Sequence, residues 1–216
     1  MESTLRRGAG APGLTLIETL GWDGVAFTRL DLHLARLAAA AGLLDWTFDL
    51  REVRQVLTAA VAVTPARIRL TLNKQGAIEV AIAAIPEPAM RWRVGLAGQR
   101  LMSHDPWLRV KSSRRAAYDA ARAGLPPGLD EAVFQNERGE VCDGSITTVF
   151  FDAGHGLCTP PLTSGLLPGV LRAELLAAGT VREAVLHTAD LGRVQLWVGN
   201  SLRGLIPALF VRKIKA

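Results

Sequence analysis

The stretch "ARIRLTLNKQGAIEVAIAAIPEP", Ala66 to Pro88, decides how this chain is organised. Two runs of alternating apolar and polar residues flank Asn73–Gly76, and that alternation around a short Asn/Gly segment predicts a β-hairpin. Directly after it, Pro86 and Pro88 interrupt any regular pattern. A proline lacks the backbone donor a ladder needs and restricts the residue before it. We place a domain boundary between Pro86 and Met90, with an N-terminal domain over 1–87 and a C-terminal domain over 88–216.

Moving towards the N-terminus, "DLREVRQVLTAAVAV" has the spacing of an amphipathic helix. So does "DLHLARLAAAAGLL", in which Leu34, Leu37 and Ala41 share a face with Leu30, and Asp31 is a candidate N-cap. Ahead of these, "LTLIETL" alternates, "GWDG" is a turn and "VAFTRL" continues extended. Moving the other way, "RWRVGLAG", "EAVFQN", "ITTVFFD", "GLCTP", "VREAVL" and "VQLWVGN" read as strands. "SRRAAYDAARAGL" and "LPGVLRAELLAAG" read as helices, the second with Pro168 near its first turn and Gly179 at its end. Hairpins in both halves with helices between them predict an α+β protein of two small domains, with antiparallel or mixed sheet.

Bulk properties narrow the function classes. At 216 residues, 49% hydrophobic and 21% charged, the chain can bury a sizeable core. The net charge of +5 is dispersed, and its densest cluster is the short C-terminal "VRKIKA". Aromatic residues are only 6% and do not alternate with basic ones, so a base-stacking nucleic-acid surface is not expected. An anionic small molecule is the better partner. Cys142 and Cys158 form neither a disulfide framework nor a zinc pattern. No apolar run reaches transmembrane length and the N-terminus lacks a signal-peptide core, so a cytoplasmic protein with no membrane association is expected.

Several segments carry chemistry-bearing residues. Lys74, Lys111, Lys213 and Lys215 are the lysines of a chain with 25 cationic side chains. Lys111 stands where "PWLRV" meets a helix, between Arg109 and Arg114. A lysine can lose its proton when desolvated or placed beside other cations, and a neutral amine is a nucleophile, which an arginine never becomes. A surface lysine ahead of a helix is the plain alternative. "TSGLLPGVLRAELL" runs a glycine loop into a helix start, where unpaired N–H groups and the helix dipole suit a phosphate; an ordinary loop is equally compatible. "LWVGNSLRGLIPAL" ends a strand on Gly199, Asn200 and Ser201, small residues that let a ligand approach the backbone, or simply form a turn. His33 and Arg36 share a helix face, where Arg36 either snorkels to solvent or meets an internal anion. Asp143 falls at an Asp-Gly turn before a buried strand, suited to turn formation or to a cationic ring nitrogen. The histidines lack metal-ligand spacing and there is no G-x-S-x-G elbow.

In order, "IETL", "HLARLAAAAG", "WLRVKSSRRAAYDAA", "DEAVFQNERGEVCDGSITTVFF", "TPPLTSGLLPGVLR" and "GNSLRGLIPA" resemble the class IV aminotransferases, the fold-type IV pyridoxal-phosphate enzymes, from about Leu16 to Leu209. The closing "GNSLRGLIPA" is most similar to the aminodeoxychorismate lyase branch. The resemblance implies two small α/β domains of the D-amino acid aminotransferase-like type with pyridoxal 5'-phosphate between them, and a homodimer. It implies Lys111 as the Schiff-base lysine and Asp143 as partner of the pyridine nitrogen. Arg36, Gly169, Val170, Asn200 and Ser201 become the phosphate cradle, and Arg203 meets a substrate carboxylate. The implied reaction converts 4-amino-4-deoxychorismate to 4-aminobenzoate and pyruvate, a step of folate biosynthesis. The alternatives are a transaminase for branched-chain or D-amino acids, and a cofactor-binding homologue with altered catalysis. Asp143 stands where the family usually has Glu, Thr147 and Thr148 where Ser-Asn is common, "KSS" where Lys-Thr-Thr is usual, and the N-terminal strand is trimmed.

Overall fold

The computed structural model describes residues 2–61 and 63–211, so the basic C-terminal run beyond Val211 lies outside the described residues. Contacts divide the chain into two compact units, Met1–Glu87 with Val110–Arg114, and Pro88–Arg109 with Arg115–Ala216.

The first unit contains α1 (Glu2–Gly8), β1 (Leu16–Trp22), α2 (Leu30–Leu44), α3 (Leu50–Ala59), β2 (Ala66–Leu72) and β3 (Ile78–Ala83). β1, β2 and β3 form an antiparallel sheet in that order. Along β2, Ala66, Ile68, Leu70 and Leu72 are buried while Arg67 and Arg69 are exposed, so the two-residue period of the sequence becomes one dry face and one wet one. Each fully buried Leu or Ile there contributes roughly 1.5–3 kcal/mol. The hairpin closes as read. Asn73 Oδ1 accepts from the amides of Gln75 and Ala77, and Gly76 takes a φ of +88° that an L side chain rarely adopts.

Two local expectations change. "VAFTRL" does not form a strand; it touches β1 through a single bridge, Trp22 to Phe27. Asp31 does not cap α2. Arg29, in the left-handed region at φ 58°, precedes the helix, and the Asp31 carboxylate pairs instead with Arg54 at 2.6 Å. In α3 a carboxylate does cap, with Asp49 accepting from the amides of Arg51 and Glu52.

The second unit contains β4 (Trp92–Leu96), a 3-10 turn (Pro106–Arg109), α4 (Ala116–Ala123), β5 (Glu131–Gln135), β6 (Val141–Gly144), β7 (Thr148–Asp152), β8 (Cys158–Thr159), α5 (Val170–Ala177), β9 (Arg182–Glu183), β10 (Gln195–Asn200) and β11 (Gly204–Phe210). The strands form one mixed sheet in the order β6-β5-β4-β11-β10-β7-β8-β9. β4 runs parallel to β11 and to β5, while β10 pairs antiparallel with β11 and β7. Both faces of β7 are covered. Val149 and Phe151 of β7 join Val94, Val133, Val198 and Ile206 on one side, while Phe150 packs with Leu171 and Val181 on the other. That is why "VFF" is continuously apolar.

The predicted single boundary at 87–88 misses one feature. Val110–Arg114 belongs with the first unit because it lies along β1: Ile17 N donates to Lys111 O at 2.8 Å and Ser113 N to Thr15 O at 2.8 Å. Lys111 therefore sits in the first unit rather than in the C-terminal domain.

Candidate active site

In the first unit the candidate residues gather around β1. The Ile17 amide fixes the main chain of Lys111. The next residue, Glu18, is buried and turns its carboxylate to α2. There Arg36 grips it twice, Nε to Oε1 at 2.8 Å and Nη2 to Oε2 at 2.6 Å. His33 Nδ1 shares Oε2 at 2.7 Å. Burial alone would raise the Glu18 pKa, but the Arg36 charge and the hydrogen bonds from His33 and Arg36 outweigh it and hold the group at about 2. Burial pulls His33 below its ordinary value, opposed by Glu18 and aided by the charges of Arg36 and Lys111. Arg36 is thus held rigidly with the rest of its guanidinium fork defined. Neither Glu18 nor its pairing with His33 was foreseen from the sequence; the "IETL" motif was the one available signal.

In the second unit Asp143 lies not in a turn but within β6, buried at 5% exposure. Its Oδ2 accepts from Leu167 N at 3.2 Å, while Oδ1, equally inaccessible, has no partner. Burial pushes its pKa up to about 8, with the Leu167 and Gly144 amides opposing and the Glu131 charge adding to the rise. A buried carboxyl with one open oxygen is costly unless a donor or cation meets it, and a protonated ring nitrogen supplies both. Glu131, which sequence reading passed over, is fully buried on β5 and accepts from Ser145 N, Ser145 Oγ, Ile146 N and Thr147 Oγ1 in the turn that follows Asp143.

The expected phosphate-binding segments converge at β7. Gly169 precedes α5 at φ −64° and ψ 143° and makes no side-chain cap, so the first-turn amides of Val170 and its neighbours are those a helix leaves unpaired. A Cβ at Gly169 would lie 2.6 Å from Thr148 Oγ1. Thr148 pairs in turn with Gly199 on β10, where a Cβ would meet Gly204 O at 2.5 Å. Both glycines therefore sit in close contact with their neighbours, and a side chain at either would force those neighbours to shift. Ser201 is buried. Asn200 serves the turn itself. Its Oδ1 accepts from Leu202 N and Arg203 N, and its amide donates to Ile146 O at 3.1 Å. Arg203 stacks on Trp92, 5.1 Å from the ring centroid. Among the described residues no three His, Cys, Asp or Glu side chains are grouped to hold a metal ion, and no helix is long and apolar enough to cross a membrane.

These elements define a class of protein. The chain belongs to the family Amino-transferase class IV, whose profile matches residues 15–210, a family of pyridoxal-phosphate-dependent enzymes. Its particular relatives divide between two activities. The crystal structure named "Putative amino-acid aminotransferase from Mesorhizobium loti" is 45% identical, with TM-score 0.88 over 92% of this chain and 100% of that one. The Schizosaccharomyces pombe protein named "Putative aminodeoxychorismate lyase" is 30% identical over 175 residues, 78% of this chain and 75% of its own. The 4-amino-4-deoxychorismate lyase from Pseudomonas aeruginosa shares the fold at TM-score 0.80 and 22% identity, over 91% of this chain and 76% of that one. The α+β fold is that of the fold-type IV enzymes.

Proposed function

We propose that this chain is an aminodeoxychorismate lyase, converting 4-amino-4-deoxychorismate to 4-aminobenzoate and pyruvate in folate biosynthesis. The observation that carries the cofactor requirement is Asp143, buried with Oδ1 open and its pKa raised to about 8. Such a group fits pyridoxal phosphate, which supplies an aldehyde for an amine and an electron-accepting ring. In this reading Asp143 faces the ring nitrogen as a carboxylate. Arg36, held by Glu18, the α5 start at Gly169 and Val170, and Ser201 take the phosphate. Asn200 contributes through its turn rather than through its side chain. Lys111 would carry the cofactor, and its amine, freed when the substrate amine takes its place, would move protons. The bond from the substrate ring to the enolpyruvyl oxygen breaks, a ring proton is lost and the departing fragment gains one, with Lys111 Nζ as base and acid. Arg203, on the β10–β11 turn, is assigned to a substrate carboxylate, a role for which it must exchange its Trp92 stacking.

Support for the lyase comes from the relatives named for it in Schizosaccharomyces pombe and Bacillus subtilis, the latter 31% identical over 94 residues. The Mesorhizobium loti relative at 45% identity favours a second reading, amino transfer on the same scaffold. The test is to supply aminodeoxychorismate to the purified protein. Pyruvate and 4-aminobenzoate in equal amounts support the lyase. Their absence, with amino transfer from a branched-chain or D-amino acid to 2-oxoglutarate or pyruvate, supports the second reading. We further propose a cytoplasmic homodimer acting on a small amino substrate; a monomer by light scattering would overturn the dimer.

A further inference from the structure

We propose that Glu131 is the positioning residue of this site: its carboxylate organises the turn Gly144–Thr147 and thereby fixes both the Asp143 carboxyl and the Asn200 turn. The inference rests on the reading that Asp143 and the β10–β11 turn meet the cofactor, and it assigns the residue that aims them.

The geometry is that of an organising anion. Glu131 has no exposed surface. Its Oε1 accepts from Ala132 N at 2.9 Å, Ser145 N at 3.0 Å and Ser145 Oγ. Its Oε2 accepts from Ile146 N at 3.2 Å and Thr147 Oγ1 at 2.8 Å. Every near partner is a donor, the surroundings a carboxylate demands and a neutral amide cannot match. The Arg122 guanidinium stands 3.7 Å from Oε1 and is partly exposed, so it offsets the charge only in part. The turn is wrapped so closely that a Cβ at Gly144 would collide with Thr147 Oγ1 and lie 3.0 Å from Glu131 Oε2.

Two consequences run outward from this turn. Towards β6, Gly144 N is tied to Thr147 O at 2.7 Å, which sets the backbone directly after Asp143. Towards β10, the Ile146 carbonyl accepts from Asn200 Nδ2 at 3.1 Å, so the turn before Arg203 hangs on the same anchor. A structural tether could be made of backbone alone. A buried charge costs solvation, and here it stands where it acts electrostatically on Asp143. The groups facing Asp143 are Glu131 from β5, Arg172 from α5, Tyr118 from α4 and the adjacent Cys142. Among them Glu131 raises the proton affinity of Asp143 and Arg172 lowers it.

The test follows the Asp143 carboxyl in the full-length protein without cofactor, by carbon-13 NMR of labelled aspartate assigned with Asp143→Asn. Glu131→Gln is expected to lower the Asp143 titration midpoint, because a repelling charge is gone, and to weaken capture of pyridoxal phosphate at least tenfold. Thr147→Val and Ser145→Ala keep the charge but strip a donor from it, and are expected to move the midpoint upward. A folded Glu131→Gln whose Asp143 midpoint and cofactor affinity match the wild type overturns the proposal. Should Glu131→Gln not fold, unmoved midpoints in both hydroxyl variants overturn it equally. Because the titration needs neither cofactor nor substrate, a wild type without lyase activity but with these shifts would sink the proposed reaction and leave the Glu131 assignment standing.

Discussion

Glu18 binds Arg36 through two hydrogen bonds of 2.8 and 2.6 Å, one residue after Ile17, whose β1 amide donates to the Lys111 carbonyl. Both partners are largely removed from water, with side chains 3% and 11% exposed. Removing one member of such a pair leaves the other charge buried and unmatched, which costs about 3–5 kcal/mol. Glu18→Gln is therefore expected to lose roughly 3 kcal/mol in urea unfolding. It should also depress His33 further, since Glu18 is what favours its protonated form. An imidazole titration unchanged by the substitution would count against the arrangement.

Acid should act on the same carboxylate. The Glu18 pKa is lowered in the folded chain, to about 2, so its stabilisation is present above the ordinary glutamate value and is lost as pH falls from about 4.5 towards 2. Glu137, held down by Ser103, and Glu140, held down by Arg138, also sit at about 2 and add to the same window. The wild type is expected to lose stability steeply between pH 4.5 and 2. Glu18→Gln, less stable at neutral pH, should lose less there. Parallel acid profiles for the two proteins would contradict this.

What the sequence made legible was local. The alternation in "ARIRLTL" and "IEVAIA" predicted a hairpin whose strands pair from Arg67 with Ala83 to Leu72 with Ile78 in full register. The apolar runs of β7 and β10 marked a buried sheet, and the ordered motifs identified the family. What it hid was set by pairing across distance. Asp-Gly at 143–144 is a turn signal, yet β6 forms because β5 pairs with it and Glu131 takes up the donors of the turn that follows. The proline break at 86–88 lies where the contacts divide Glu87 from Pro88, but it could not reveal that residues 110–114 return to β1. Glu18 and Arg36 are 18 positions apart, too far for any periodicity to join them.

Lys111 is the residue whose loss should be absolute. Lys111→Ala is expected to fold, because it is the main chain at 111 that pairs with Ile17. It should fail to develop the visible absorbance of pyridoxal phosphate attached to protein. Borohydride reduction of the wild type followed by peptide mass spectrometry should find the adduct at Lys111. An adduct at Lys74 instead would overturn the assignment.

Gly169 tests the width of the cradle. A methyl group there would reach 2.6 Å from Thr148 Oγ1, while its next neighbours, the β-carbons of Arg172 and Thr148, lie at 3.7 and 3.8 Å. Overpacking of this kind costs about 1–3 kcal/mol. Gly169→Ala should destabilise the protein by that amount, and Thr148→Ala added to it should recover most of the loss. A double variant as unstable as the single one would show the strain lies elsewhere.

Asp143 gives the sign that separates an empty site from a filled one. Its folded pKa of about 8 stands well above the unfolded value of about 3.9. An acid raised in this way stabilises the fold fully below the unfolded value and loses that contribution as pH rises through the folded one. Without cofactor, stability should therefore fall between about pH 4 and 8, by up to about 1.4 kcal/mol per pH unit. Asp143→Asn removes the titration and should flatten that slope while leaving the acid limb of Glu18 in place. Pyridoxal phosphate, by giving Oδ1 a cationic partner, should abolish the slope in the wild type, while the variant, already flat, should show no further change. Thermal unfolding across this pH range, with and without cofactor, measures all four cases, and a wild-type slope unaffected by saturating cofactor would remove Asp143 from the site.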